Sequence, residues 1–260
     1  MAPTGSYSLA GKSAVVTGAG NGIGRAISLA FADAGAAVAC VDLEAKVAEA
    51  TAEVITKNGA QALPVQCDVA SEADVAAATK MIFGKFPAIH VLVNGAAGYD
   101  PNGTVLDLTL SDWNRVFAVN AGGAFLMSRA ILPAMIAAGG GSIIHIASQL
   151  GSVAASRRAA YCASKGALIQ LAKAMATDHA AQNIRLNTLS PGAVETERLI
   201  KRFGDMETAR RTAGPKHLLQ RLGQPEEIAR AAVFLPGGSR PRGIRDSPPS
   251  GGHGPDAGNP

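Results

Sequence analysis

Short apolar runs rich in β-branched residues alternate along this chain with longer, alanine-rich amphipathic segments. Runs of this kind are typical of strands covered on both faces in a parallel sheet. Repeated strand–helix–strand units require right-handed crossovers, so we expect a single-domain α/β fold with a doubly wound parallel sheet. The predicted strands occupy 12–18, 36–42, 62–68, 89–95, 142–148 and 184–190, and the predicted helices lie near 22–34, 44–57, 71–85, 111–138 and 158–182.

The composition argues against several classes of protein. Apolar residues make up 47% of the 260 residues. No apolar run approaches the roughly 18 residues that span a bilayer, so we expect no membrane segment. The net charge of +4 comes from scattered residues and aromatic residues are only 4%, which argues against nucleic-acid binding. The first residues lack the basic-then-apolar layout of a secretory signal, so we expect a cytoplasmic protein.

A glycine-rich turn, Thr-Gly-Ala-Gly-Asn-Gly-Ile-Gly at 17–24, joins the first predicted strand to a helix. Glycines let the backbone approach a ligand, and the helix N-terminus offers free N–H groups to a pyrophosphate. The spacing fits G-x-x-x-G-x-G and not the commoner G-x-G-x-x-G. A tight turn needs glycine in any case, so the turn alone does not prove a cofactor site. Its candidate cofactor-binding residues are Gly18, Asn21, Gly22, Ile23 and Gly24.

Asp42 ends the second predicted strand, where an acidic side chain can accept hydrogen bonds from the ribose hydroxyls of a dinucleotide. A 2′-phosphate at this position would be repelled, and Leu43, not Arg or Lys, comes next. We therefore expect NAD and not NADP. The alternative is that Asp42 only caps the helix that starts near Glu44.

Tyr161 and Lys165 lie four residues apart in Tyr-Cys-Ala-Ser-Lys, so on a helix they share one face. A tyrosine hydroxyl ordinarily ionises near pH 10, and a neighbouring ammonium favours the phenolate, which suits acid–base catalysis. Ser148, at the end of the fifth predicted strand, is placed to hold a substrate oxygen beside the phenol. Such pairs are common on ordinary amphipathic helices, so the pair alone supports either interpretation.

Together these features resemble the short-chain dehydrogenase/reductase family over residues 9–235. The further motifs that carry the resemblance are Asn-Gly-Ala-Ala-Gly at 94–98, Asn120 and Pro-Gly-Ala-Val-Glu-Thr at 191–196. The resemblance implies a Rossmann-type fold and NAD as the cofactor. It implies that the turn lines the pyrophosphate and that Asp42 holds the ribose. The other implied cofactor contacts are Asp68, Val69, Asn94, Tyr161, Lys165, Pro191, Gly192, Val194 and Thr196.

The resemblance also implies a catalytic tetrad of Asn120, Ser148, Tyr161 and Lys165. In that scheme Tyr161 is the general acid/base and Lys165 also binds the nicotinamide ribose. Ser148 orients the substrate oxygen, and Asn120 anchors a water that completes a proton relay.

Some positions depart from the family pattern. The usual Asn-Asn-Ala-Gly reads Asn94-Gly95-Ala96-Ala97, where small residues still let a cofactor pass. His145 stands where Asn is expected, and we interpret it as a packed strand residue and not a catalyst. His90 and His179 are likewise interpreted as structural, since neither has a carboxylate or second histidine at ligand spacing, and we predict no metal site.

Segment 195–220 is predicted to form a mobile lid over the substrate. Its charges allow an anionic substrate, but a solvated helix face explains them more simply. Gln149 and Leu150 supply one polar and one apolar wall to the predicted substrate pocket. Such walls fit a small secondary alcohol, a cyclic diol or a sugar-like polyol, and the sequence does not distinguish among these substrates. The cationic residues of the lid are Arg198, Lys201, Arg202, Arg210, Arg211 and Lys216.

After residue 235 the composition changes abruptly. From 236 to 260, 13 of 25 residues are Gly or Pro, so we expect an irregular tail outside the domain at 1–235. The family continues to a final edge strand ending in Asp-Gly-Gly, and our hypothesis is that a frameshift has replaced that strand.

The altered tail leads to a prediction about assembly. We expect a homo-oligomer, a tetramer weakened toward a dimer by loss of an edge strand that contributes to subunit contacts. Light scattering against a chain with a repaired tail measures this, and an equally stable tetramer from both chains would contradict it.

The sequence thus predicts an enzyme that transfers a hydride between NAD and a small-molecule secondary alcohol or ketone. Two alternatives stay open. One is an NADPH-dependent 3-oxoacyl-carrier-protein-type reductase on the same fold, which Asp42 opposes. The other is a catalytically silent NAD-binding protein, which the set Ser148, Tyr161 and Lys165 opposes.

Overall fold

The six apolar runs form the strands of one parallel sheet in the computed structural model, which describes residues 7–98 and 100–237. The strands are β1 (Ser13–Thr17), β2 (Ala37–Asp42), β3 (Ala62–Gln66), β4 (Val91–Asn94), β5 (Gly141–Ile146) and β6 (Ile184–Leu189). Their order is β3-β2-β1-β4-β5-β6, and every neighbouring pair is parallel. The chain order reverses direction between β1 and β4, which confirms the predicted doubly wound α/β fold.

Helices cover both faces of the sheet. They are α1 (Gly22–Asp33), α2 (Ala45–Lys57), α3 (Glu72–Lys85), α4 (Leu110–Phe117), α5 (Gly123–Ala137), α6 (Ala159–His179), α7 (Glu197–Phe203), α8 (Met206–Ala213) and α9 (Pro225–Gly237). Successive strand residues point to opposite faces, so Val16 of β1 packs with Phe31 of α1, while Val15 packs with Ile131 of α5. Two apolar layers therefore hold the sheet rigidly between helices.

Local signals explain where several helices begin and end. Ser71 accepts a hydrogen bond from the Asp74 N–H at the start of α3, as its N-cap position predicts. Thr109 and Asp112 form a capping box at the start of α4. Gly139 follows α5 with φ at 85°, a left-handed conformation that glycine adopts at little cost.

The single helix predicted over 111–138 is interrupted. A π-helical turn, Ala118–Gly122, separates α4 from α5, and the Gly123 N–H bonds to the Ala118 carbonyl. In this turn the Asn120 side chain is buried, and both its amide oxygen and its amide nitrogen form hydrogen bonds. The predicted helical segment near 111–138 is confirmed as helical over Leu110–Ala137, but apolar periodicity does not reveal the extra residue in this turn.

Helical residues Leu110–Ala137 are the one run in the described chain that is long and apolar enough to cross a membrane, with a mean hydropathy of 1.3. Met127, Ile131 and Met135 of this run are fully buried against the sheet. Its apolar character is therefore explained by core packing.

Helix α9 continues through Pro236 to Gly237, so it passes the predicted domain boundary at 235 by two residues. The predictions of an irregular tail, a missing final strand and a weakened oligomer concern residues beyond 237, outside the described part of the chain.

His145 of β5 is completely buried, and its Nδ1 lies 3.1 Å from the Asn94 side-chain nitrogen. The same Asn94 amide donates to Ser128 Oγ at 3.1 Å. Burial, and then the positive charge of Lys165, lowers the pKa of His145 to about 4. The histidine is thus a neutral core residue that links two strands.

This burial predicts an acid-sensitive fold. Because the unfolded His145 binds a proton near pH 6.5, its contribution to stability is complete above that pH and is lost as the pH falls toward 4. We expect the free energy of unfolding of wild type, relative to His145→Asn, to fall by on the order of 3 kcal/mol over this range.

Urea denaturation of both proteins at pH 4.5 and pH 7.5 measures this difference. Above pH 7 the two stabilities should change in parallel, which serves as the internal control. A difference that stays constant down to pH 4.5 would show that His145 does not titrate between the folded and unfolded states.

Candidate active site

The glycine-rich turn connects β1 to α1 at the carboxyl edge of the sheet. Gly18 and Gly22 have φ values of 68° and 51°, which L side chains rarely adopt. A Cβ on Gly24 would overlap the Gly18 carbonyl oxygen, so the helix can approach the turn this closely only with glycine there. The N-terminus of α1 therefore opens directly onto the edge of the sheet where ligands bind in such folds.

A cavity of about 700 Å³ extends along this edge. It runs from Asp42 at the end of β2, past the turn, to Tyr161 on α6. The predicted residues that line it are Gly18, Asn21, Gly22, Ile23, Gly24, Asp42, Asp68, Val69, Ser148, Tyr161, Lys165, Pro191, Gly192, Val194 and Thr196. Its volume lies in the range of small-molecule and cofactor sites.

Asp42 holds the backbone in place at one end of this cavity. Its Oδ2 accepts a hydrogen bond from the Gly20 N–H at 2.8 Å, and its Oδ1 accepts one from the Glu44 N–H at 3.3 Å. The N-cap of α2 is Glu44, so Asp42 is not the helix cap that the alternative interpretation required. The Glu44 side chain also lines the cavity, and this end is therefore acidic.

Lys165 lies close to Tyr161, and Ser148 lines the same cavity. The Lys165 ammonium donates a hydrogen bond of 2.7 Å to the Ile146 carbonyl and lies 5.7 Å from the centre of the Tyr161 ring. Ser148 Oγ accepts a hydrogen bond from the Leu150 N–H at 3.1 Å, which orients the hydroxyl. Burial, and then the charge of Arg198, lowers the pKa of Lys165 to about 7. A negative charge near Lys165 would raise its pKa again and so keep this side chain in the ammonium form at neutral pH.

Asn120 and Asn94 are buried outside the cavity lining. In the π-helical turn, Asn120 Oδ1 accepts from the Gly98 N–H at 3.3 Å and its Nδ2 donates to Ser164 Oγ at 2.9 Å. Asn120 therefore ties the loop after β4 to α6. Asn94, predicted as a cofactor contact, instead bonds Ser128 and His145 within the core. Its small neighbours Gly95 to Gly98 line the cavity in its place.

Four arginines of the described chain line the cavity, and three of them contact Asp100: Arg158, which the sequence does not assign to the site, and Arg198 and Arg202, which it places in the lid. We call these three, with the Asp100 they surround, the arginine cluster. The guanidinium carbons of Arg158 and Arg198 lie 4.4 and 4.8 Å from the centre of the Tyr161 ring. The cluster therefore adjoins the candidate acid/base.

The structure corrects the interpretation of segment 195–220 as a solvated cationic face. Arg198 and Arg202 of α7 reach Asp100 inside the cavity, at 3.6 and 3.3 Å. Arg210 instead pairs with Glu195, while Lys201 and Arg211 are exposed. Arg158 is the N-cap residue of α6, three residues before Tyr161, and this short spacing offered a signal for it. Asp100 lies in a loop where no pattern marks it.

No group of three or more histidine, cysteine, aspartate or glutamate side chains in residues 7–98 and 100–237 is arranged to hold a metal ion. The titratable side chains around Tyr161 are instead those of Lys165 and the arginine cluster.

Known proteins resemble this chain in both fold and sequence. A family model described as enoyl-(acyl carrier protein) reductase matches residues 18–239. D-threitol dehydrogenase of Mycolicibacterium smegmatis is 40% identical over 230 residues, covering 88% of this chain and 87% of that protein.

Two solved structures superpose closely. A short-chain type dehydrogenase/reductase from Mycobacterium marinum is 35% identical, with a TM-score of 0.83 over 89% of this chain and 90% of that one. A 7α-hydroxysteroid dehydrogenase complexed with NADH and 7-oxo glycochenodeoxycholic acid is 35% identical, with a TM-score of 0.83 over 89% of each chain. Sequence, fold and coverage agree, and this chain belongs to the short-chain dehydrogenase/reductase family of oxidoreductases.

Proposed function

We propose that the protein is an NAD-dependent dehydrogenase that interconverts a secondary alcohol and a ketone, with Tyr161 as the proton-transfer group. The observation that carries the proposal is the convergence, in one cavity, of the glycine-rich turn with Ser148, Tyr161 and Lys165. Its dinucleotide-binding features and its acid–base group lie at opposite ends. The relatives named as dehydrogenases support the same class of reaction.

The cavity fits a nicotinamide dinucleotide. The α1 N-terminus and the turn offer N–H groups and a positive dipole to a pyrophosphate, and Asp42 offers acceptors to a ribose. Pro191, Gly192, Val194 and Thr196 also line the cavity, and Thr196 lies against Gly22 of the turn, so we assign these residues to the nicotinamide half and its phosphate. When bound, the nicotinamide supplies a two-electron hydride acceptor.

The remaining chemistry belongs to the protein side chains. The substrate hydroxyl would lie between Ser148 Oγ, which holds the oxygen, and the Tyr161 phenolate, which accepts its proton as the carbinol C–H bond breaks. Lys165, fixed by the Ile146 carbonyl, places positive charge near the phenol and favours its ionised form. The products of oxidation are a ketone, the reduced cofactor and one proton.

Tyr161→Phe should abolish most of the activity, because it removes the hydroxyl that transfers the proton. We expect kcat for alcohol oxidation to fall by about 10²- to 10⁴-fold while NAD binding is retained. Tyr7→Phe is the matched control, since Tyr7 packs on Phe234 on the outside of the protein. Steady-state kinetics over a panel of secondary alcohols measures both variants, and a Tyr161→Phe enzyme with wild-type kcat would disprove the assignment.

Asp42 supports NAD as the preferred cofactor, because a 2′-phosphate beside the Asp42 and Glu44 carboxylates would be repelled. The same carboxylates oppose the NADPH-dependent acyl-carrier-protein reductase. The convergence of Ser148, Tyr161 and Lys165 opposes a silent NAD-binding protein.

Cofactor preference gives a second test. We expect kcat/KM for NAD to exceed that for NADP by roughly 100-fold or more, since like charges in contact cost several kcal/mol. Asp42→Ala should reduce this ratio at least about tenfold by removing the nearer charge. Asp178→Asn, which changes an exposed carboxylate at the end of α6, is the control and should keep the wild-type ratio. A wild-type enzyme that prefers NADP would overturn the NAD assignment.

A further inference from the structure

The arginine cluster carries more positive charge than its own carboxylate neutralises. Arg158 contacts both Asp100 oxygens, through Nε at 2.9 Å and Nη2 at 2.5 Å. Arg202 and Arg198 contact the same Oδ2 atom at 3.3 and 3.6 Å. Three guanidinium groups therefore share one carboxylate, which leaves a net charge of +2 beside Tyr161.

This excess charge is not held in open water. The side chains of Arg158 and Asp100 are each only 12% exposed, and those of Arg202 and Arg198 are 29% and 34% exposed. Like charges in such a setting repel one another strongly. Burial is the main cause that lowers the pKa of Arg158; the charge of Asp100 opposes this shift, while the charges of Arg202 and Arg198 add to it.

One donor of the cluster is left without a hydrogen bond. Arg198 Nη2 is buried and finds no hydrogen-bond partner among the described residues, and its 3.6 Å contact with Asp100 is an ion pair beyond hydrogen-bonding range. A buried cationic donor without a partner is costly, and an oxyanion in the cavity would satisfy it. The cluster lines the same cavity as Ser148 and Tyr161, so such an anion would lie beside the reacting alcohol.

We propose that the arginine cluster binds an anionic group of the substrate, so that the enzyme acts on a secondary alcohol that carries a carboxylate, sulfonate or phosphate. This substrate class rests on the proposed dehydrogenase function. Guanidinium groups match all three oxyanions, each of which accepts paired N–H donors. The bound anion would share the cluster with Asp100 and lower its net charge from +2, to +1 for a carboxylate or sulfonate and to about zero for a phosphate dianion. It would also counter the effect of Arg198 on Lys165, and so favour the ammonium next to the phenol.

Matched substrate pairs test the proposal. Kinetics with saturating NAD would compare 3-hydroxybutanoate with 3-hydroxybutanamide, 4-hydroxypentanoate with 4-hydroxypentanamide, and 2-hydroxypropanesulfonate with its sulfonamide. Each pair differs in charge and hardly in shape. We expect kcat/KM for the anion to exceed that for its neutral partner at least about tenfold in one or more pairs.

Arg202→Gln is the most informative variant, because Arg202 contacts Asp100 whereas Arg158 and Arg198 also contact the Tyr161 ring. It should lower the anion-to-neutral ratio by about tenfold, and Arg202→Lys should restore part of it. Arg211→Gln, an exposed position on α8 in the same segment, removes equal charge and should keep the wild-type ratio. A raised KM for NAD in Arg202→Gln, with the substrate ratio unchanged, would assign the arginine to the cofactor and overturn the proposal.

A binding measurement separates this inference from the proposed function. Calorimetric titration of the NADH-loaded protein with butanoate and methanesulfonate, against butanamide, reports anion binding without turnover. Preferential binding of an anion that Arg202→Gln weakens supports the anion site even if no alcohol is oxidised, in which case the dehydrogenase proposal fails alone. Oxidation of neutral and anionic alcohols at equal kcat/KM, with no preferential anion binding, would refute the anion site and leave the dehydrogenase standing.

Discussion

The hydrogen bond from the Lys165 ammonium to the Ile146 carbonyl is the contact on which the geometry of the site depends. It joins α6, which carries Tyr161, to the end of β5. Ser148 is the second residue after that strand. The strand is fixed in turn by parallel pairing with β4 and β6 and by two apolar layers. A buried cation is costly unless its charge is satisfied, so this lysine stays in place only because a carbonyl and the π face of Tyr161 surround it.

The features that could be predicted from the sequence depend on local spacing. The six strands, the turn at 17–24, Asp42 at a strand end and the helical pair Tyr161 and Lys165 all follow from short-range patterns. The π-helical turn at Asn120 could not be predicted, because one inserted backbone residue leaves the apolar pattern unchanged. The inward direction of Arg198 and Arg202 also escaped prediction, since it depends on Asp100, about a hundred residues earlier in the chain. Long-range ion pairs of this kind leave no trace in local periodicity.

Charge is distributed unevenly along the cavity. Asp42 and Glu44 make one end acidic, the turn in the middle presents helix N–H groups, and the arginine cluster with Lys165 makes the far end cationic. A dinucleotide carries hydroxyl groups at the first position and phosphates at the second, so the first two regions match its chemistry. The third region matches neither the nicotinamide ring, which is cationic when oxidised and neutral when reduced, nor a neutral alcohol. The polarity of the cavity thus supports the proposed division between cofactor binding and substrate binding, and the charged residues of the two parts lie on different elements of the fold.

Asp100 has a consequence for how anions in the surrounding solution meet this site. Because the fold holds Asp100 beside the arginines, its carboxylate competes with any incoming anion at an effective concentration on the order of millimolar or higher. A weakly held ambient ion such as chloride would compete poorly with it. A ligand that gains further contacts elsewhere in the cavity would be able to share the arginines with Asp100. The internal carboxylate would thus set a threshold that an anion must exceed in order to bind.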